Sequence, residues 1–216
     1  MSELIDDEVK AVFFDWDDTL VGTIENKWRQ HIHVAREFYG RDIDEKELRE
    51  HWGKPLSELI KALYETEDVE EAIRRTHLVH QDFPKILFDH TLGVVERIRG
   101  SGRPVGLVTA HRREGLQYDF DQLGVPSALF DYIQTEDDTP YHKPDPRVFE
   151  PTLIWLARNA IAPGEAVYVG DSFTDRDAAV GAGMQFIGVE TGLVTAETFQ
   201  RSGAVAIRSL VELLPQ

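Results

Sequence analysis

Short apolar runs alternate with amphipathic stretches along most of this 216-residue chain. Residues 9–15 (VKAVFFD) are apolar and aromatic and close on a burst of carboxylates, which predicts a short buried strand. Residues 104–109 (PVGLVT), 129–134, 165–170 (EAVYVG) and 185–189 (QFIGV) predict four more. Helical spacing fills the later gaps: residues 114–123, residues 146–159 with proline in the first turn, and residues 174–182 running into Gly183. Strands alternating with helices predict a parallel sheet covered on both faces.

Residues 21–88 break this rhythm. Ile24, Trp28, Ile32, Ala35 and Phe38 recur at helical spacing, with Gly40 as a stop. Leu56, Leu59, Ile60 and Leu63 repeat the pattern, as do Val69, Ala72, Ile73 and Thr76. Bare loops longer than ~15 residues are uncommon inside compact domains, so the stretch predicts a small helical domain inserted after the first strand. The expected division is a core of residues 1–20 and 89–216 and a helical domain of residues 21–88.

Composition narrows the function. Hydrophobic residues make up 42% and charged residues 29%, the proportions of an ordinary globular protein. A net charge of −16 argues against nucleic acid as a partner, which needs basic surface. The same charge repels small anions at long range, so local cations must dominate any phosphate site. With no cysteine, disulfides and thiolate metal sites are excluded. The acidic N-terminus lacks the basic start and apolar run of a signal peptide, and no stretch approaches the ~20 apolar residues that span a bilayer. A soluble, cytoplasmic protein with no membrane partner is expected, monomeric or homodimeric.

The strongest chemical signal is Asp15-Trp16-Asp17-Asp18-Thr19-Leu20 at the end of the first strand. Ligands of open α/β sheets sit beyond the carboxyl ends of the strands. Residues two apart on extended backbone share a side, so Asp15 and Asp17 are expected to face one pocket. At 4 Å and an effective dielectric near 20 their repulsion is ~4 kcal/mol, a cost that a metal site puts to use. Gly170-Asp171-Ser172-Phe173-Thr174-Asp175 is a second carboxylate cluster at a strand end opening a helix. Asp and Ser are ordinary helix caps, but beside the first cluster these oxygen ligands suit Mg²⁺. Thr109 ends another strand, with a hydroxyl and following amides suited to phosphate oxygens, and Lys143 sits on a proline-stiffened loop, His142-Lys143-Pro144-Asp145-Pro146.

These four motifs, in this order, resemble those of the haloacid dehalogenase superfamily: D-x-D-x-T, a strand-end Thr, K-P-x-P and G-D-S-x-x-D. The likeness spans nearly the whole chain and is closest to the phosphoglycolate phosphatase-like and β-phosphoglucomutase-like branch. It implies a Rossmann-like, three-layer α/β core with an inserted α-helical cap. It also implies a Mg²⁺-dependent phosphatase that acts on a small phosphorylated metabolite through an aspartyl-phosphate. Asp15 would then be the nucleophile and Asp17 the acid and base. Asp15, the carbonyl of Asp17, and Asp171 would hold Mg²⁺ with Asp175 nearby, while Thr109 and Lys143 hold the phosphoryl group. Ala110 stands where Asn or Ser is commoner but keeps its amide. Asp18 stands where many members carry Gly, and Asp tolerates unusual backbone angles. Trp16 is expected simply to pack.

Within the implied cap, Trp52-Gly53-Lys54-Pro55-Leu56 forms a turn with a single framed cation, and Lys54 is a candidate contact to the leaving group. A solvated lysine is the plainer reading of the same residue. His31 and His33, two apart on a helix, point to different faces; His77 and His80 lack an accompanying carboxylate motif; Arg112 and Arg113, after His111, fit an exposed helix start. The rival readings are a phosphosugar mutase using the same site and a non-catalytic, phospho-accepting receiver or binding module. The substrate itself is not encoded in any of these motifs.

Overall fold

A computed structural model describes residues 4–52 and 54–215. Contacts divide the chain into two compact units: residues up to Gly22 with those from Ile86 onward, and Thr23–Lys85.

The first unit is built on a parallel sheet of six strands: β1 (Ala11–Phe14), β4 (Val105–Val108), β5 (Tyr132–Gln134), β6 (Ala166–Gly170), β7 (Gln185–Val189) and β8 (Val205–Ile207). Their order is β5-β4-β1-β6-β7-β8. Two short strands, β2 (Val21–Gly22) and β3 (Ile86–Leu87), pair antiparallel where the chain leaves this unit and returns. In β1, Val12 and Phe14 point into one apolar cluster and Ala11 and Phe13 into another. That explains the unbroken apolar run: a central parallel strand is buried on both faces. On the Val12 side lie α5 (Thr91–Gly100) and α6 (Arg113–Leu123), through Val94, Val95, Ile98, Leu116 and Phe120. The Phe13 side is covered by α7 (Glu150–Arg158), α8 (Phe173–Gly181) and α9 (Ala196–Arg201), through Leu156, Ala178, Ala179 and Phe199. Gly106 makes room for the Phe13 ring: a Cβ there would lie 2.3 Å from a ring carbon. The architecture is the expected Rossmann-like α/β core.

The chain runs from β1 outward to β4 and β5 on one side, then returns to the other side of β1 for β6, β7 and β8. The strand order therefore reverses at β1, and the loops after β1, β4 and β6 meet at one sheet edge, the usual ligand crevice of such sheets.

Several elements differ from the sequence reading. The single helix expected over residues 146–159 is a 3₁₀ turn, Pro146–Phe149, followed by α7. Pro151 lacks the N–H needed to bond back to Arg147, so a continuous helical ladder is impossible there. The strand expected over residues 129–134 begins only at Tyr132, because Ser127–Leu129 forms a 3₁₀ turn. β8, α5 and α9 lie outside the elements expected from the pattern.

Among the described residues the second unit contains four α-helices: α1 (Ile24–Tyr39), α2 (Glu45–His51), α3 (Leu56–Tyr64) and α4 (Val69–Leu78). Gly40 ends α1 in the left-handed conformation, φ 64°, and its N–H bonds to Ala35 and Arg36 carbonyls. Trp28, Val34, Ala35, Leu48, Leu59, Ile60, Leu63, Tyr64 and Ala72 form its core. Phe38 and Leu56, expected on the apolar faces, are exposed, and the Arg75 guanidinium lies 5.2 Å over the Phe38 ring. No helix among the described residues is long and apolar enough to cross a membrane.

His31 is buried in this unit, its Nδ1 2.6 Å from the Tyr64 hydroxyl. Burial, aided by the Lys27 charge, lowers its pKa from 6.5 to about 4. The folded unit therefore holds fewer protons than the unfolded one between those values, and His31's contribution is full above pH 6.5 and lost as pH falls through about 4. Thermal melts across this window should show the parent losing more stability than His31→Gln, which keeps an acceptor for Tyr64 and does not titrate. Parallel pH profiles for the two proteins would contradict this.

Candidate active site

Asp15 directly follows β1, and its N–H bonds to the Val169 carbonyl of β6 at 2.9 Å, so the strand pairing itself fixes its position. Thr109 and Asp171 follow β4 and β6 in the same way. After Asp15 the chain folds back tightly: Leu20 and Val21 donate to the Trp16 carbonyl, and Asp18 donates to Val21 at 2.7 Å. Asp18 sits at φ 54°, a left-handed conformation that Asp adopts more readily than most residues and that fits the Gly more often found there. Its carbonyl accepts the Thr191 hydroxyl at 2.5 Å.

At the sheet edge the carboxylates of Asp15, Asp171 and Asp175 converge, with one oxygen from each inside 4.8 Å of the others. Lys143 reaches into this group and spends all three of its donors. Its Nζ lies 2.9 Å from Asp15 Oδ1, 2.7 Å from Asp175 Oδ1 and 2.6 Å from the Tyr168 hydroxyl, which in turn donates to the Val108 carbonyl. The second oxygen of Asp175 accepts from the Ser172 N–H and hydroxyl, as Ser172 caps α8. Both oxygens of Asp175 are thus engaged, which suits an anchor for Lys143 more than a direct metal ligand.

The electrostatics follow from this crowding. Burial raises Asp15 from 3.8 to about 6, Lys143 pulling it down while Asp175 and Asp17 push it up. Burial, then Asp175, Asp15 and Asp18, raise Asp171 to about 9. Burial alone would lower Lys143, yet Asp15 and Asp175 hold its ammonium well above the ordinary lysine range. A lone ammonium does not neutralise this carboxylate cluster. The donors are all hard oxygens, and the deficit is of positive charge. A divalent hard cation fits both facts.

The wall behind Asp171 is equally specific. A Cβ at Gly192 would lie 1.9 Å from Asp171 Oδ2, so only glycine lets this loop close on that carboxylate.

Asp17 pairs with His111, whose Nε2 lies 2.6 Å from Asp17 Oδ2, and its charge still acts on Asp15. Thr109 is buried, and its hydroxyl oxygen accepts the His111 N–H at 3.1 Å. Ala110 beside it is exposed. Trp16 is fully buried against Phe120 but does more than pack, since its Nε1 donates to Asp119 Oδ2 at 2.9 Å. Lys54, in the helical unit, is exposed and bonds His51 Nδ1 at 2.9 Å; Gly53 of the same turn lies outside the described residues. Arg112 and Arg113 pair with Glu136 and Asp138.

Sequence reasoning missed Tyr168 and His111. Tyr168 stands out only as one polar hydroxyl in an otherwise apolar strand, and His111 only by following Thr109 by two residues. A separate cavity of about 750 Å³, lined by Arg99, Arg103, Pro104 and Asp131, lies at the opposite, amino-terminal end of β4. Its arginines are engaged by Asp131 and by the Val9 and Asp6 carbonyls, so we place the chemistry at the carboxylates.

The chain is similar to several known proteins. The family described as haloacid dehalogenase-like hydrolase matches residues 12–189. A Clostridium perfringens protein provisionally named pyrophosphatase PpaX is 31% identical over 186 residues, 84% of each chain. The phosphoglycolate phosphatase of Shigella boydii is 28% identical over 170 residues, 78% of this chain and 66% of its own. Among solved structures, a Thermotoga maritima protein provisionally described as a β-phosphoglucomutase superposes with a TM-score of 0.81 at 25% identity, covering 95% of this chain and 97% of that one.

Proposed function

The chain belongs to the haloacid dehalogenase-like hydrolases, and from that premise we propose that it is a Mg²⁺-dependent phosphatase forming an aspartyl-phosphate on Asp15. The observation that carries this reading is the Lys143 ammonium held between Asp15 and Asp175 beside Asp171. It gives a carboxylate nucleophile a fixed direction and a phosphoryl group a fixed counter-charge.

An Asp15 oxygen attacks phosphorus while the bond to the leaving oxygen breaks, and Asp17 gives that oxygen a proton. Asp17, now ionised, takes a proton from water, the resulting hydroxide attacks phosphorus, and the bond to Asp15 breaks to release phosphate. Lys143 offsets charge on the phosphoryl oxygens, and Thr109 orients them from the end of β4. Asp15, Asp171 and the main-chain carbonyl of Asp17 would hold Mg²⁺, which would supply charge neutralisation and polarise the phosphoryl group. Asp175 holds Lys143 and stays behind these ligands.

The metal reading is tested without turnover. At a hundred times its dissociation constant a ligand adds about 2.7 kcal/mol of stability. For a chain of this size that raises the melting temperature by roughly 5–10 °C. Mg²⁺ should produce this rise in the parent and none in Asp171→Ala. A parent melting curve indifferent to millimolar Mg²⁺ would overturn the metal site.

The names of the relatives put pyrophosphate and phosphoglycolate at the head of a phosphate-release panel that also holds phosphosugars and nucleotides. The similarity to the Thermotoga protein supports a second reading, a phosphosugar mutase. Release of inorganic phosphate from glucose 1-phosphate supports the phosphatase; its conversion to glucose 6-phosphate without release supports the mutase.

A further inference from the structure

The geometry points to His111 as a positioning residue that locks the Asp17 carboxyl group and decides which of its two oxygens carries the shuttled proton. The inference rests on the proposed acid–base role of Asp17.

Three observations fix the imidazole. Its own backbone N–H is bonded to the Thr109 hydroxyl oxygen at 3.1 Å, and its carbonyl accepts the Glu136 N–H at 2.8 Å. The ring Nε2 lies 2.6 Å from Asp17 Oδ2 and 4.0 Å from Asp119 Oδ2. Asp119 is in turn held by the buried indole N–H of Trp16, at 2.9 Å. Trp16 thus holds Asp119 near the ring, at 4.0 Å and beyond hydrogen-bond reach, while Asp17 takes the close contact to Nε2. On its other side the ring rests on Gly115, in the first turn of α6, where a Cβ would approach Nδ1 to 3.3 Å. The first turn of a helix presents N–H groups and not carbonyls, so it suits a lone pair at Nδ1 and leaves the proton on Nε2.

With a proton on Nε2, His111 donates to Asp17 Oδ2 whether Asp17 is acid or carboxylate. A donor at Oδ2 excludes a proton there and leaves Oδ1 as the oxygen that protonates the leaving group and later deprotonates water. A free carboxyl group would spend time with the proton on the wrong oxygen or the ring-flipped rotamer.

Leaving-group dependence tests this, because a poor leaving group needs the proton and a good one does not. With 2,4-dinitrophenyl phosphate as the good leaving group and 2-phosphoglycolate as the poor one, His111→Ala should lower kcat/KM for the alkyl ester by about tenfold or more. It should change kcat/KM for the aryl ester by less than about threefold and leave inhibition by inorganic phosphate unchanged. His111→Gln, whose amide N–H can take the place of Nε2–H, should recover most of the alkyl activity. In an Asp17→Asn background, His111→Ala should cost nothing further.

The control is Asp17→Asn alone. If it lowers kcat/KM for both esters equally, the acid role of Asp17 falls and this inference falls with it. If Asp17→Asn is leaving-group dependent while His111→Ala slows both esters equally, slows neither, or is not rescued by His111→Gln, the role of Asp17 stands and that of His111 is overturned.

Discussion

Asp15→Asn should abolish turnover, lowering kcat by at least about a thousandfold, the scale seen when an enzyme's nucleophile is removed. The substitution is close to isosteric. An amide oxygen at the same place still accepts from Lys143, which lies 2.9 Å from Asp15 Oδ1 in the parent, so the fold and the lysine should stay in position. What is lost is a full negative charge able to form and later release an acyl phosphate. The stability effect has the opposite sign. Burial raises the folded-state pKa of Asp15 to about 6, above its ordinary 3.8, so ionising it costs the folded protein free energy at neutral pH. In EDTA, Asp15→Asn should therefore melt a few degrees above the parent. Turnover within about tenfold of the parent, in protein purified free of wild-type contamination, would remove Asp15 as the nucleophile.

The motifs at strand ends were legible for a physical reason. Asp15, Thr109 and Asp171 each follow an apolar run, and the carboxyl ends of such strands are where ligands of open α/β sheets sit. Parallel pairing of β1 with β4 and β6 then brings positions 94 to 156 residues apart to one edge without any local signal between them. Lys143 was readable for its stiff loop. Its partners were not: Tyr168 lies within a buried strand, and no pattern of hydropathy says which way a hydroxyl in that strand will turn. His111 was overlooked because its neighbours Arg112 and Arg113 made the segment read as an exposed helix start, and those two arginines do pair at the surface. The edge strand β8, only Val205–Ile207, is too short to show a period, and the split at Pro151 depended on where the preceding turn began.

The acidity of the chain meets the site at Lys143. A protein with net charge −16 repels its own substrate at a distance, and the converging carboxylates do so again at the site. Binding must then come from cations held where the phosphoryl group docks. In the proposed reaction Lys143 supplies such a cation, with 10% of its side chain exposed.

Lys143→Met should accordingly damage both stability and catalysis, and Mg²⁺ should separate the two. Met fills the volume but leaves Asp15 and Asp175 without their counter-charge. Removing one partner of a buried ion pair costs about 3–5 kcal/mol. Part of that is offset, because Asp15, already raised to about 6, can take up a proton when the ammonium is gone. A fall in melting temperature of roughly 5–10 °C in EDTA follows, at the lower end of the range for a chain of this size. Mg²⁺ should restore much of it, since a cation relieves the same repulsion. Turnover should stay depressed by about a hundredfold or more at saturating Mg²⁺ and substrate, because the lysine also meets charge that develops on the phosphoryl oxygens. Lys143→Arg should not rescue it. The three acceptors, Asp15, Asp175 and Tyr168, surround a single nitrogen, and a planar guanidinium cannot point three donors at them from one atom. If Lys143→Met, refolded by Mg²⁺, turned over within a few-fold of the parent, Lys143 would be a structural cation only, and the counter-charge for the phosphoryl group would have to come from elsewhere.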